Sequence, residues 1–296
     1  MKFGMGDAEK ATPGTGAVKP SEKARQRAAV FDRAAATYSR VGPGFFAHFG
    51  GRLAELVAPP PGARILDIAA GTGAASFPAS LRVGEMGMVV GTDRAPSMIG
   101  RLAEEIRQRG VGNVRPVLMD AQRLAFPDGS FDAVLCGFAL DLFPDPGRAL
   151  REFNRVLRAD GRLGLSISSG WWWEGDDRWK WHGELMESLG VGAGLEPRQF
   201  ATSPEVEEAL LGARFVDVRV GEERFGLTFA DPEEWWRWAW SHGYRGVLEA
   251  MSPGQLEQYR EACFRELRRM AASGGIRGRL EVVLATARRR GYGPAG

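Results

Sequence analysis

Four residues at two strand ends could do chemistry together in this sequence. In A-R-I-L-D-I-A-A-G-T-G-A-A-S, residues 63–76, a short apolar run carries Asp67 near its end, and Gly71 and Gly73 follow one residue apart. Asp93 closes the next apolar run, twenty residues after Gly73. Glycines at the exit of a strand let backbone approach a ligand, and the helix that starts there presents free N–H groups. Two ligand classes use that device. A dinucleotide would set its anionic pyrophosphate against the Asp67 carboxylate, whereas S-adenosylmethionine brings an ammonium and a sulfonium. Asp67 therefore favours the cationic ligand, and Ser76 in place of the third glycine of G-x-G-x-x-G weakens the dinucleotide fingerprint. The competing reading of Asp67 is a turn or helix-capping carboxylate. Asp93 stands at the spacing at which this architecture sets a carboxylate against ribose hydroxyls.

Alternating elements must hold those residues in place. Arg64–Ile68 reads as a buried parallel strand, Met88–Asp93 as a second, Val114–Met119 as a third, Phe131–Cys136 as a fourth and Arg162–Ser169 as a fifth. Helices follow the glycine loop to about Arg82, then span Pro96–Arg109 and Arg148–Leu157; Gly110 signals a C-cap and Asp160-Gly161 a turn. Strand and helix in alternation predict a doubly wound, mostly parallel Rossmann-like α/β sheet with ligand groups at the carboxyl ends of its strands. Two helices precede the sheet, one from Ser21 to about Tyr38 and one over Phe45–Val57, and could cover one side of the cleft with Tyr38 as a contact. Residues 1–20, rich in Gly, Thr, Pro and Lys, read as a disordered tail.

Bulk numbers narrow the class. The chain has 296 residues, a formal net charge of +2, 44% hydrophobic and 26% charged residues, which suits one sizeable α/β core with a smaller subdomain. That charge is far from the basic footprint of a nucleic-acid binder. Cys136 and Cys263 are the only cysteines, too few for a disulfide framework or a thiolate metal site. No apolar run reaches the length of a membrane span and no signal-like segment opens the chain, so a cytoplasmic location is expected.

Taken in order, I-L-D-I-A-A-G-T-G-A, V-V-G-T-D-R-A-P-S-M-I, D-A-Q-R-L-A-F-P-D-G-S-F-D-A-V-L-C and L-R-E-F-N-R-V-L-R-A-D-G-R-L resemble the class I S-adenosylmethionine-dependent methyltransferases, and most of all their ubiquinone/menaquinone-methyltransferase-like group. The resemblance covers residues 30–170 strongly and the C-terminal third weakly. It implies a seven-stranded sheet: a core over 61–230, a helical lid over 231–273 and a last antiparallel strand from about Arg279 to Thr286 within 274–296. It also implies that Asp67, Ala69, Gly71 and Gly73 surround the methionine part of S-adenosylmethionine, Asp93 takes the ribose hydroxyls, and Arg94 and Met98 flank the adenosine. Asp120 and Ala121 would meet the adenine, with Gly137 and Phe138 on the methyl side.

Residues after the fifth strand, with a Trp-rich segment over 170–200, are expected to receive the methyl acceptor. All nine tryptophans fall in two clusters, Trp171, Trp172, Trp173, Trp179 and Trp181, then Trp235, Trp236, Trp238 and Trp240. The helical spacing of the second cluster favours lid core, while three adjacent tryptophans at 171–173 cannot all point into one core and suggest an aromatic pocket wall. Methyl transfer is an in-line displacement, and a base is needed only where the acceptor loses a proton. Glu174 and His182 are the first candidates for it; His48 and His242, also candidate substrate contacts, and Asp141 are the others. The leading expectation is an enzyme methylating oxygen, nitrogen or carbon of a small apolar or aromatic metabolite, without a metal, a nucleic acid or a membrane, and with homo-oligomerisation left open. Alternatives are carbon methylation of an indole or isoprenoid through a carbocation with Glu174 as base, a diphosphate then being held by Arg40, Arg245 and a magnesium ion near Asp176 and Asp177. A nicotinamide-dependent oxidoreductase is the alternative from another class.

Overall fold

The computed structural model describes residues 22–170, 173–174, 176–191 and 199–291. Helices α1 (Glu22–Ala34) and α2 (Phe45–Val57) lead into β1 (Arg64–Ile68), α3 (Ser76–Val83), β2 (Met88–Asp93), α4 (Pro96–Arg109) and β3 (Val114–Leu118). Then come β4 (Phe131–Gly137), α5 (Pro146–Val156), β5 (Leu157–Ser168), α6 (Lys180–Ser188), α7 (Ser203–Gly212) and β6 (Phe215–Phe229). Helices α8 (Pro232–Trp240), α9 (Arg245–Glu249) and α10 (Pro253–Ala272) precede β7 (Ile276–Arg289). The seven strands form one sheet in the order β3-β2-β1-β4-β5-β7-β6, with β7 antiparallel to both neighbours and the rest parallel. Chain order reverses between β1 and β4, and ligands of open α/β sheets bind at that point.

The strands are apolar on both faces because both faces are covered. Ile65, Val89 and Ala133 pack toward α2 and α3, while Leu66, Val90 and Val134 pack toward α5 and α7. Local signals end the helices where the backbone needs them. Gly110 takes a left-handed φ of 66° after α4, and the Asp145 side chain accepts the Arg148 N–H to cap α5. Thr202 with Glu205, and Ser252 with Gln255, form capping boxes on α7 and α10.

One sequence expectation is corrected here. Asp160-Gly161 does not separate a helix from a strand that starts at Arg162; β5 begins at Leu157, runs through both residues and shifts register against β4 between Phe131 and Ala133. Asp160 adopts φ 61°, so the polar turn signal is spent on a bulge inside the strand. The long strands β6 and β7 carry helices α8–α10 between them at the sheet end that holds the strand tips. The expected N-terminal tail lies outside the described residues.

Candidate functional site

The β1 tip turns into α3 through two left-handed glycines, Gly71 at φ 54° and Gly73 at φ 95°. Gly73 has a packing reason as well, since a Cβ there would meet the Phe77 ring at 2.5 Å and Leu102 at 2.8 Å. The neighbouring tip ties itself to this turn: the Gly71 N–H donates to Asp93 Oδ2 at 3.0 Å and the Ala95 N–H to Asp93 Oδ1 at 2.9 Å. Beneath them Asp67 is 1% exposed and accepts the Ser76 hydroxyl at 2.6 Å. Burial pushes the Asp67 carboxyl up to about 7, with the Asp93 charge adding to it and the Ser76 hydroxyl opposing; burial also raises Asp93. Two acids that resist ionisation in this way are electrostatically matched to an incoming cation.

A cavity of about 100 Å³ opens over these tips. Ala69, Gly71 and Asp93 form its floor, Arg94 and Met98 one side, Asp120 and Ala121 the next, and Gly137, Phe138 and Tyr38 close it. Arg94 lies 3.7 Å from Asp120, whose other oxygen accepts the Gln122 N–H. Ten of the twelve residues expected to meet the donor line this cavity, whereas Asp67 and Gly73 do not. Ala69 at φ 52° and Phe138 at φ 53° are non-glycine residues in left-handed backbone, each at a strand tip on the wall. The Phe138 N–H donates to the Ser166 carbonyl at 2.7 Å, which holds its turn in place.

A second cavity, of about 410 Å³, shares Arg27, Phe31, Tyr38, Phe138 and Leu142 with the first. Rings dominate its sides: Tyr38 stacks on Phe46 at 4.8 Å, and Phe138 meets Phe45 and Phe46 edge to face at 5.4 and 5.6 Å. Trp238, His242 and Tyr244 line it from the α8–α9 side, and Asp141 from the chain after β4. Arg27 spans both cavities from α1 and donates to the Leu142 carbonyl at 2.8 Å.

Several expected acceptor contacts stand elsewhere. Trp173 is buried against His182 at 4.4 Å and Tyr244 at 5.6 Å, so it is lid core and not pocket wall; Trp171 and Trp172 lie outside the described residues. His182 is fully buried behind Tyr244, with Nε2 2.6 Å from the Tyr259 hydroxyl, and burial lowers it to about 3. That neutral, enclosed ring does not border either cavity. His48 sits on the outer side of α2 against Phe225, at 5.0 Å, likewise off the cavity. Glu174 is exposed beside Gly170 and does not line the cavity either. Asp176 is bound at both oxygens by Arg178, Arg40 pairs with Glu105, and Arg245 with Glu249. Trp238, read from its spacing as lid core, is at the cavity, and a glycine explains how: a Cβ on Gly42 would come within 2.6 Å of its ring. Arg27, Phe45 and Phe46 were missed. Phe45 and Phe46 open an apolar helix start that was available as a signal, whereas Arg27 has none beyond its place on α1. Among the described residues no group of three or more His, Cys, Asp or Glu could hold a metal, and no helix is long and apolar enough to cross a membrane.

Known proteins share this fold and much of this sequence. A methyltransferase-domain family model matches residues 66–165. Nocamycin O-methyltransferase of Saccharothrix syringae is 36% identical over 282 residues, covering 90% of this chain and 99% of that protein. The ubiquinone/menaquinone biosynthesis C-methyltransferase UbiE of Serratia proteamaculans is 44% identical over 103 residues, 34% of this chain and 41% of that one. In structure, the YcgJ protein of Bacillus subtilis shares the fold with a TM-score of 0.56 at 20% identity, over 82% of this chain and 98% of that one. Likeness to the ubiquinone group covers between a third and a half of the chain, while likeness to the O-methyltransferase runs nearly end to end. The chain belongs to the class I S-adenosylmethionine-dependent methyltransferases, and S-adenosylmethionine is its methyl donor.

Proposed function

We propose that the smaller cavity holds S-adenosylmethionine and the larger one a small, largely apolar aromatic metabolite, which receives the methyl group on oxygen, nitrogen or carbon. The observation that carries this reading is the shared wall of Arg27, Phe31, Tyr38, Phe138 and Leu142 between an acid-floored cavity and a ring-lined one. The donor supplies a carbon already activated by its sulfonium, so alignment and exclusion of water are what the protein must add. Asp93 retains unused lone pairs for ribose hydroxyls after accepting from Gly71 and Ala95. Asp67 lends negative charge from below, and the faces of Tyr38 and Phe138 suit a sulfonium on the side where the cavities meet. An acceptor cavity of about 410 Å³ fits a metabolite of drug size, and among the described residues Arg27 is the one Lys or Arg of its lining. The relative along almost the whole chain is named for a methyltransferase of nocamycin, which supports specialised metabolism as the setting.

The test is a two-part titration followed by turnover. Calorimetry with S-adenosylhomocysteine and mass spectrometry of a panel of phenolic, carboxylic, amino and indolic aromatics incubated with S-adenosylmethionine should show donor-site binding and a methylated small aromatic. Binding of NAD in its place, or methylation of transfer RNA with every small aromatic left unmodified, overturns the proposal.

A further inference from the structure

Of the three histidines, His242 alone borders the acceptor cavity, and its environment fixes which nitrogen is usable. The residue is half-buried; its ring lies tilted by 37° against Trp238 with centroids 4.5 Å apart, and brings Nδ1 to 2.7 Å from the Trp238 carbonyl oxygen. A carbonyl only accepts, so Nδ1 carries the hydrogen and donates it. Burial lowers the imidazole to about 4, so the ring is neutral at neutral pH and has a single N–H. Nε2 is therefore a bare lone pair, on the side of the ring away from the carbonyl of α8 that anchors it. This is the tautomer that a general base needs, fixed by a backbone carbonyl on a residue that borders the cavity.

Resting on the donor and acceptor cavities assigned above, we propose that His242 Nε2 is the general base of this enzyme and that its acceptor presents a hydroxyl, phenolic or enolic, to that nitrogen. As the new O–CH3 bond forms, the acceptor O–H bond breaks; its electron pair stays on oxygen and its proton passes to Nε2. The carbon–sulfur bond releases its pair to sulfur, leaving the thioether, a methyl ether and an imidazolium. Arg27, Tyr38, Asp141 and Tyr244 are the other titratable or charged side chains of that lining. Asp141 is the anion among them, and a carboxylate in the same cavity favours the imidazolium once formed. Arg245, next along the chain, is turned to Glu249 and to the Arg33 carbonyl. An acceptor already anionic, such as a carboxylate, would have no use for Nε2 and would be repelled by its lone pair.

The experiment is nitrogen NMR of the full chain labelled in histidine, loaded with S-adenosylhomocysteine and titrated in parallel with 1-naphthol, 1-naphthoate and naphthalene. At neutral pH His242 should show a protonated Nδ1 and an unprotonated Nε2, and Nε2 alone should shift as 1-naphthol hydrogen-bonds to it, with no shift from the other two. In the turnover arm, His242→Gln should lower kcat for 1-naphthol by about 10²- to 10⁴-fold, leave S-adenosylhomocysteine affinity unchanged, and be partly rescued by added imidazole. A protonated Nε2, or an Nε2 that ignores 1-naphthol in the loaded protein, refutes the base. Failure of S-adenosylhomocysteine to bind instead refutes the donor-site reading, so the two failures are separable. The NMR arm decides even for a variant that does not fold or a wild type that does not turn naphthol over.

Discussion

Lowering the pH from 7 to 5 should weaken S-adenosylmethionine binding steeply, and Asp67 should be the cause. In the ligand-free protein its carboxyl is pushed up to about 7 by burial. A cation about 6 Å away at an effective dielectric of about 20 favours the ionised form by about 3 kcal/mol, or about 2 pKa units. The bound value then falls to about 5. Because the donor prefers the ionised carboxylate, affinity is highest above pH 7 and is lost as protons return; between pH 7 and pH 5 the ratio works out at about 25-fold. Near pH 6 binding should release about 0.8 proton, since the carboxyl is about nine-tenths protonated before binding and about one-tenth after. Calorimetry in two buffers of different ionisation enthalpy reads that proton directly. His242 and His182, lowered to about 4 and about 3, stay neutral throughout this window. Asp93 is raised as well and adds a slope of the same sign, so the comparison with Asp67→Asn isolates the share of Asp67. If wild type and Asp67→Asn show the same pH dependence and the same proton release, Asp67 is not coupled to the donor and the electrostatic reasoning fails.

Gly50 lies where α2 rests on the glycine loop, and a Cβ there would be 2.1 Å from the Ala74 carbonyl oxygen. Gly50→Ala should cost about 1–3 kcal/mol despite about 1 kcal/mol of better helix propensity, and should weaken donor binding; a variant more stable to urea than wild type would contradict this packing. Tyr259→Phe removes a buried hydroxyl that meets His182 at 2.6 Å and Tyr244 at 3.0 Å, so the melting temperature should drop by about 2–6 °C, as calorimetric scans would record. Glu174→Gln should leave turnover within about twofold of wild type, because the side chain is exposed and off the cavity; a large loss of kcat would restore the carbocation alternative with Glu174 as its base.

What the sequence disclosed is what local chain geometry decides. Asp93, Gly71, Asp120 and Phe138 stand at the ends of strands whose apolar runs are continuous, and a parallel sheet buried on both faces brings all such ends to one rim. The lid obeys no such rule. His182 on α6 meets Tyr259 on α10, 77 residues later, and nothing in its polar, Trp-rich surroundings announces that enclosure. Trp173 and Trp238 changed places against expectation for the same reason: which ring reaches the cavity depends on how α8 and α10 pack across the sheet, and on Gly42 making room. Arg27 escaped notice because a helix read by its apolar period treats an arginine as a solvent-facing residue, whereas this helix lies across two cavities.

The burial of Asp67 also bears on why the free protein tolerates an acid there at all. A folded value raised from 3.8 to about 7 means that the native state binds the proton more tightly than the unfolded chain. Stability is therefore full below about pH 4 and declines as pH rises through 7, by up to about 4 kcal/mol from this group. The donor's charge returns about 3 kcal/mol of that above pH 7 by the Coulomb argument, and little below pH 5 where the carboxyl stays protonated in both states. The thermal shift produced by saturating S-adenosylmethionine should accordingly be larger at pH 7 than at pH 5 in wild type, and the difference should shrink in Asp67→Asn to the share of Asp93. In this reading the acid under the glycine loop trades stability of the empty fold for a donor site that is strongest when a cation fills it.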